Sequence, residues 1–392
     1  MILVNKILTR KSHNIKLLRI ISTLDPRYGG PSRSIVDSSV SLVMKGIKVD
    51  IVTNDPPGSK FYRGNKINVI NIGSKFFSKS FNPFLFFWVL KNKKKYSDYI
   101  IHGIWEFNTI IAKILLKKKY YVFIHGQLDP YFKNEKFNNI KKNFYWFLIE
   151  KRNLLDAKSI LLTSENEKKL LNNTYVNTKG IKRKVVNYGI QEPQLNFKKI
   201  TKKFDTKFKL LKNKKFFLFL GRFHKKKGCE IILHSMKKIN EKNNKIYLLM
   251  AGPKNDYRSK LIILSKKLKI NKNIIWTDFL QNDFKWASIK RCYAMVLPSH
   301  GENFGVSVVE SLALGKTVLI SNKVNIFNYI KKTRSGLVST NNVNNFSKIM
   351  IKFIDLDIDK KKELNLNAKR CFKKYFDFNN SNEKLISLLK KY

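Results

Sequence analysis

Apolar residues in the first half of the chain fall into short runs separated by stretches with helical spacing. The runs are Leu17–Leu24, Val49–Thr53, Ile67–Ile72, Tyr99–His102, Tyr121–His125, Ser159–Thr163 and Val185–Asn187. Tyr28-Gly29-Gly30-Pro31-Ser32 reads as a tight turn, with Pro31 in the first turn of a helix that ends near Lys45, before Gly46. Strands alternating with helices predict a parallel sheet covered on both faces. From about Gln191 to Lys214 the sequence is polar, rich in Lys and without evident period, and reads as a linker. The pattern then restarts. Phe216–Leu220, Tyr247–Gly252, Ile274–Thr277 and Thr317–Ile320 read as strands, and Gly228–Lys238 and Arg258–Leu268 as helices. A further strand ends at Leu297 and Pro298, followed by a polar loop and a helix with Val306, Val309, Leu312 and Ala313 on one face. Gly315 closes that helix. The reading is an α/β protein of two Rossmann-like domains: residues 1–195, a linker at 196–214, a second domain at 215–375, and a terminal segment at 376–392. That segment is amphipathic, with Leu385, Ile386, Leu388 and Leu389 as its apolar positions.

Composition changes the picture in one respect. The 392 residues carry 79 Lys plus Arg against 27 Asp plus Glu, a formal charge of +52. A nucleic-acid partner is one reading of such an excess, and attraction to an anionic membrane surface is another. The charge is, however, spread along the chain as Lys beside many Asn, Ile and Phe, as a strongly AT-biased genome would write it. No helix-turn-helix, zinc spacing or RNP-type aromatic motif supports a nucleic-acid partner. Cys229, Cys292 and Cys371 have no metal-like spacing and fit a reducing compartment. No secretory signal is visible at the start. The longest apolar run, Phe81–Leu90, is about half the roughly 20 residues a spanning helix needs. The expected location is therefore cytoplasmic. A peripheral position on the inner face of the plasma membrane is suggested by Phe76, Phe77, Phe81, Phe84, Phe86, Phe87 and Trp88, next to Lys91 and Lys93–Lys95. Lys113, Lys117–Lys119, Lys133, Lys136, Lys141 and Lys142 extend that basic cluster.

The chemistry concentrates in VLPSHGENFGVSVVESLALGKTVLI, residues 296–320. Glu302 lies in the loop after a strand and Glu310 inside the following helix, so both carboxylates belong to one crevice at the carboxyl end of a strand. The loop leads into a helix N-terminus, whose free N–H groups suit an anion. Glu302 and Glu310, after Pro298-Ser299 and around Asn303-Phe304-Gly305, resemble the E-x7-E signature of retaining glycosyltransferases with the two-domain GT-B fold. The similarity is closest to the family-four group that uses nucleotide sugars. Gly221-Arg222-Phe223-His224-Lys225-Lys226-Lys227-Gly228, directly after a strand, resembles the same family's G-R-x4-K-G.

The resemblance covers nearly the whole chain. It implies two Rossmann-like domains facing each other across a cleft, with the terminal helix returning to the first. It also implies that Arg222 and Lys227 hold the donor diphosphate. A fixed guanidinium and ammonium stabilise the charge that grows there as the sugar–phosphate bond breaks. By the same resemblance Glu310 accepts hydrogen bonds from the donor ribose, while Glu302 and the Asn303, Phe304 and Gly305 backbone contact the sugar. His102-Gly103-Ile104-Trp105 and His125-Gly126-Gln127-Leu128-Asp129-Pro130 resemble HGxW and HGxLDP segments of these enzymes, with His125 near the reacting sugar. Gly29, Gly30 and His102 resemble the acceptor and phosphate side. Catalysis would thus rest on His125, Glu302, Arg222 and Lys227.

The donor is a substrate, and no cofactor is expected. Nor is a metal, because Arg222 and Lys227 do its work. Asp355-Leu356-Asp357-Ile358-Asp359 satisfies a D-x-D pattern, but its place before a Lys-rich helix suits a cap. The implied partners are a nucleotide sugar and a saccharide or lipid-linked saccharide acceptor, as in envelope polysaccharide or lipopolysaccharide assembly. A nucleotide-sugar epimerase of the same fold and a basic nucleic-acid-binding protein are the competing readings.

Overall fold

The computed structural model describes residues 15–28, 30–131, 136–174, 176–242 and 245–390. Seven of the apolar runs pair as parallel strands: β1 (Lys16–Ile21), β2 (Lys48–Thr53), β3 (Asn68–Asn71), β4 (Asp98–His102), β5 (Tyr120–Phe123), β6 (Ser159–Leu162) and β7 (Arg183–Val185). Their order is β3-β2-β1-β4-β5-β6-β7. The strands are apolar almost throughout because both faces are covered. Leu18 and Ile20 of β1 join Tyr99, Ile101, Val122 and Ile160 in one core, while Ile21 packs with Ile35 and Ile51 in another. Helices α1 (Gly30–Met44), α2 (Pro83–Asn92), α3 (Phe107–Leu116), α4 (Lys136–Tyr145), α5 (Lys151–Asp156) and α6 (Glu165–Leu170) connect them. Between α4 and α5 the helix widens into one π turn, Trp146–Glu150. Ile21 is paired level with Thr53 on one side and His102 on the other, so the loops after β1, β2 and β4 leave the sheet together.

The second sheet has six parallel strands: β8 (Lys215–Leu220), β9 (Ile246–Ala251), β10 (Ile274–Thr277), β11 (Ala294–Leu297), β12 (Val318–Ser321) and β13 (Gly336–Ser339). The order is β10-β9-β8-β11-β12-β13. Its helices are α7 (Phe197–Lys207), α8 (Cys229–Asn240), α9 (Asp256–Lys267), α10 (Asn282–Arg291), α11 (Val306–Ala313), α12 (Phe327–Thr333), α13 (Val343–Asp355) and α14 (Ile358–Cys371). β13 is the strand that the apolar pattern does not reveal. It is a short edge strand, GLVS, and none of its residues is fully buried.

The chain divides into two compact units, one of residues 1–189 with 378–392 and the other of residues 190–377. The C-terminal helix Phe378–Lys390 belongs to the first unit, where it lies on α1. Asn382 donates to Ser41 there, and the Tyr121 hydroxyl donates to the Leu388 carbonyl at 3.3 Å. Gly189 ends the first pass through this unit. A side chain there would meet the Phe378 Cα at 2.6 Å, so the residue must be small.

The expected linker at 196–214 is not one. Asn196 caps α7, accepting from the Lys199 N–H at 3.1 Å, and the segment belongs to the second unit. Ile200, Phe204, Phe208 and Leu211 recur every three or four residues and enter the core with Phe216, Leu218 and Trp286. The intervening lysines hide that stripe from a reading by composition. Accordingly Phe204→Ala, at a fully buried position, should cost about 3–5 kcal/mol of stability. Urea unfolding of the purified variant measures this, and a change below about 0.5 kcal/mol would restore the linker reading.

Candidate active site

In the second unit the strand order reverses between β8 and β11, the place where open α/β sheets bind ligands. Both sequence-predicted loops start there, residues 221–228 after β8 and 298–305 after β11. They are laced together. His300 N–H donates to the Lys226 carbonyl at 2.8 Å, and Lys227 makes an ion pair with Glu302. Gly228 has φ 68°, and a Cβ there would lie 2.2 Å from the Pro298 carbonyl oxygen, so only glycine permits the approach. His224 has a local role, its Nδ1 accepting from the Lys226 N–H at 3.1 Å at the head of the Lys225–Lys227 turn. Arg222 is exposed and has no partner among the described residues.

The loop after β11 is fixed from its other side. Glu302 N–H donates to the Lys323 carbonyl at 2.9 Å and the Glu302 carbonyl accepts from Asn325 N–H at 2.8 Å. Phe304 is buried with its ring edge-on to Phe376 at 5.8 Å, which anchors the loop and leaves only its backbone for a ligand. Gly305, at φ 71°, heads α11 without a side-chain cap, and the first amides of a helix have no intrahelical acceptor. Glu310 sits in that helix at 5% exposure and is ion-paired with Lys285 of α10, also 5% exposed. The Lys285 ammonium lies 4.1 Å from the Trp286 ring centroid. Sequence spacing passes over Lys285. Its only signal is a lysine within a run of residues, Lys285–Ile289, that the helix buries throughout.

In the first unit His102 and His125 come together. His102 Nδ1 is 3.0 Å from His125 Nε2, and the two rings stack at 5.2 Å. His125 also meets the Tyr188 hydroxyl. His102 is buried, so it supports His125 from behind rather than reaching a ligand itself. Burial, followed by the nearby Arg19 charge, lowers His125 to about 3. Burial also holds His102 well below its ordinary value. Both imidazoles are therefore neutral at ordinary pH. Arg19 is itself buried under α1, donating to the Ile35 carbonyl at 3.0 Å and to Ser38. Gly30 is the first residue of α1, and Gly29 lies outside the described residues.

Beneath the HGIW loop lie two carboxyl groups that the sequence did not single out. Burial raises Glu106 to about 7 and Glu150, in the π turn, to about 8. Glu150 is 0% exposed and accepts from the Thr109 hydroxyl at 3.1 Å. Their one sequence signal is that Glu106 directly follows Trp105, which itself adopts φ 68°. A carboxyl raised from 4.5 to about 8 on folding is neutral in the native state across a window where the unfolded chain ionises. Native stability therefore falls as pH rises from about 4.5 to about 8 and levels off above. Glu150→Gln removes that slope. Its stability relative to the parent should rise by a few kcal/mol, to order of magnitude, across this window. Urea titrations at several pH values test it, and a pH-independent difference would mean Glu150 is charged in the fold.

Asp357 caps α14, its carboxylate accepting from the Lys360 N–H at 2.7 Å. Among the described residues no three His, Cys, Asp or Glu side chains gather as a metal site would need.

The family description "Glycosyl transferases group 1" matches residues 201–370. An uncharacterized glycosyltransferase of Methanocaldococcus jannaschii is 30% identical over 125 residues, 32% of each chain. The O-antigen biosynthesis glycosyltransferase WclY of Escherichia coli is 32% identical over 98 residues, 25% of this chain and 26% of the relative. The matches span about a third of the first of these relatives and about a quarter of the second. Among solved structures, sucrose-phosphate synthase from Thermosynechococcus elongatus superposes with a TM-score of 0.76 at 16% identity, over 96% of this chain and 98% of that one. Anabaena HepE in complex with UDP and glucose gives a TM-score of 0.76 at 15% identity, over 97% and 100%. At such identities the likeness is one of fold, the pair of Rossmann-like units called GT-B. The family match, to the glycosyl transferases group 1, thus lies in residues 201–370, the part of the chain that carries both loops of the second unit.

Proposed function

We propose that this protein is a retaining glycosyltransferase moving a sugar from a nucleoside diphosphate to a hydroxyl of a glycan or lipid-linked saccharide. The observation that carries the reading is the ion pair of Lys227 with Glu302 where the second sheet reverses, with Arg222 exposed on the same loop as Lys227. The UDP in the HepE structure and the O-antigen role in the name of WclY support the donor and acceptor classes.

Arg222 and Lys227 would bind the diphosphate, Arg as a planar fork and Lys as a point charge. Glu310, held by Lys285, would accept from the ribose hydroxyls. Glu302 and the Asn303–Gly305 backbone would orient the sugar. As the sugar C1–phosphate bond lengthens, negative charge grows on the phosphate beside both cations, and an oxocarbenium-like carbon results. The acceptor oxygen attacks C1 from the face the diphosphate leaves. Its proton passes to a phosphate oxygen, so the configuration is kept. A neutral His125 suits a hydrogen bond near this sugar without opposing the developing positive charge. The two basic side chains take the place of a divalent cation.

Lys227→Ala should lower turnover on the order of 100-fold or more at saturating donor while the protein still melts cooperatively. The parent should keep its activity in excess EDTA. Transfer assays with UDP- and GDP-sugars measure both, and near-parental turnover in Lys227→Ala would sink the clamp assignment.

The acceptor would be met at an anionic bilayer. Phe76 is 89% exposed and Phe87 65%, and Phe77, Phe81 and Phe84 are also exposed, whereas Phe86 and Trp88 pack on the core. Ile140, Phe144 and Phe147, on α4 and the π turn, are exposed as well. Lys91, Lys94, Lys95 and Lys117–Lys119 are exposed cations of the same unit; Lys133 lies outside the described residues. Apolar rings beside ammonium groups match an acyl boundary beneath anionic headgroups, each Lys adding roughly 1 kcal/mol. No described helix is long and apolar enough to cross a membrane. In flotation assays the protein should rise with phosphatidylglycerol-rich vesicles at low salt and much less at high salt. Failure to float with any vesicle would leave a water-soluble acceptor.

A further inference from the structure

The two glutamates of the second unit's site are neutralised in different ways. Glu310 has a lysine of its own, Lys285 on the neighbouring helix α10, and the two are buried together. Glu302 has no lysine to itself. Its Oε2 is ion-paired with Lys227, the cation that the proposed reading gives to the donor diphosphate. Both members are partly exposed, so a ligand can reach either of them. Arg222, on the same loop as Lys227, is exposed and has no partner among the described residues. An arriving diphosphate therefore meets Arg222 free but Lys227 already engaged. The loops do not need the ion pair to stay together. His300 N–H holds the Lys226 carbonyl at 2.8 Å, and Gly228 lies against the Pro298 carbonyl. Lys323 and Asn325 hold the Glu302 backbone. The pair can open without the loops parting.

While a carboxylate holds an ammonium, a second anion gains less from the same charge, because it also approaches the carboxylate. A bare nucleoside diphosphate must therefore compete with Glu302 for Lys227. A nucleotide that still carries its sugar competes less. The sugar's hydroxyls can donate to the carboxylate in place of the ammonium, which leaves Lys227 to the phosphates. We propose that Glu302 is a selectivity residue that exchanges partners, holding Lys227 when no sugar is bound and the sugar's hydroxyls when one is. The exchange favours the intact donor over the spent nucleotide, and it loosens the nucleotide once the sugar has left. It rests on the nucleotide-sugar reading of this site and adds to it an order of events at Lys227. Its signature is a sign: removing the carboxylate that orients the sugar strengthens the hold on the bare nucleotide.

Titration calorimetry on the full chain tests the exchange. The probes are UDP, GDP and ADP, beside UDP-glucose, UDP-galactose, GDP-mannose and ADP-glucose. Glu302→Gln keeps the shape and removes the charge, and should bind the preferred nucleoside diphosphate about tenfold more tightly than the parent does. Glu302→Ala, which leaves no amide to hold the ammonium, should tighten it as well. In both variants the affinity for the nucleotide sugar relative to its own nucleotide should fall about tenfold. A glutamate that merely braced its loop would on removal weaken every probe alike. Equal or weaker nucleotide binding in variants that melt cooperatively overturns the exchange and leaves the donor site standing. Equal tightening of nucleotide and nucleotide sugar also overturns it, since that is plain repulsion without a change of partner. A folded parent that binds none of the nucleotides removes the donor reading and the exchange together.

Discussion

The contact between Lys227 and Glu302 is the constraint on which the second unit's site depends. Neither loop is held in place by regular structure, since each begins where its strand ends. An ion pair with partly exposed members is worth little as stability. Its value is positional, because it sets the spacing between a loop that gathers cations and one that presents carboxylate and amide groups. The absent side chain of Gly228 and the His300-to-Lys226 hydrogen bond fix the same spacing by backbone means. Glu310 is treated differently. With Lys285 it forms a pair removed from water on both sides, where the Coulomb gain is largely offset by desolvation. Such a pair fixes an orientation more than it adds stability.

The first unit uses the opposite electrostatic strategy. Its two histidines and two buried carboxyls are all pushed toward their neutral forms, and burial is the leading cause for each. Arg19 is the exception, a buried cation satisfied mainly by a helix carbonyl and a hydroxyl. A surface crowded with lysines therefore encloses crevices whose own groups carry little charge. The high net charge says little about the chemistry inside.

What could be read from the sequence follows the strength of local signals. Strands buried on both faces give unbroken apolar runs, so twelve of the thirteen were visible, and GLVS at the sheet edge was not. The GRFHKKKG and PSHGENFG loops stood out because glycines, a rare Arg and spaced glutamates depart from a lysine-rich background. That same background concealed α7, whose four-residue apolar stripe is broken by Lys at most other positions. Lys285 and Glu150 were beyond reach for another reason. Their significance lies in burial and in partners distant along the chain, Lys285 with Glu310 and Glu150 with Thr109. His102 was visible, but only the packing separates its supporting position from that of His125.

The second unit is inserted in the first, since the chain leaves after Gly189 and returns at Phe378. On the ribosome, residues 15–189 emerge with the side that carries α1 and Tyr121 of β5 still lacking the helix that supplies Leu385, Leu388 and Leu389. The whole of the inserted unit must be made before that helix exists. At elongation rates of about 5–20 residues per second, this apolar face waits on the order of ten seconds or more for its cover. The inserted unit is contiguous and can complete its own core during that interval. The half of the protein made first is thus the half finished last, and its unfinished sheet is where a nascent-chain chaperone would be needed.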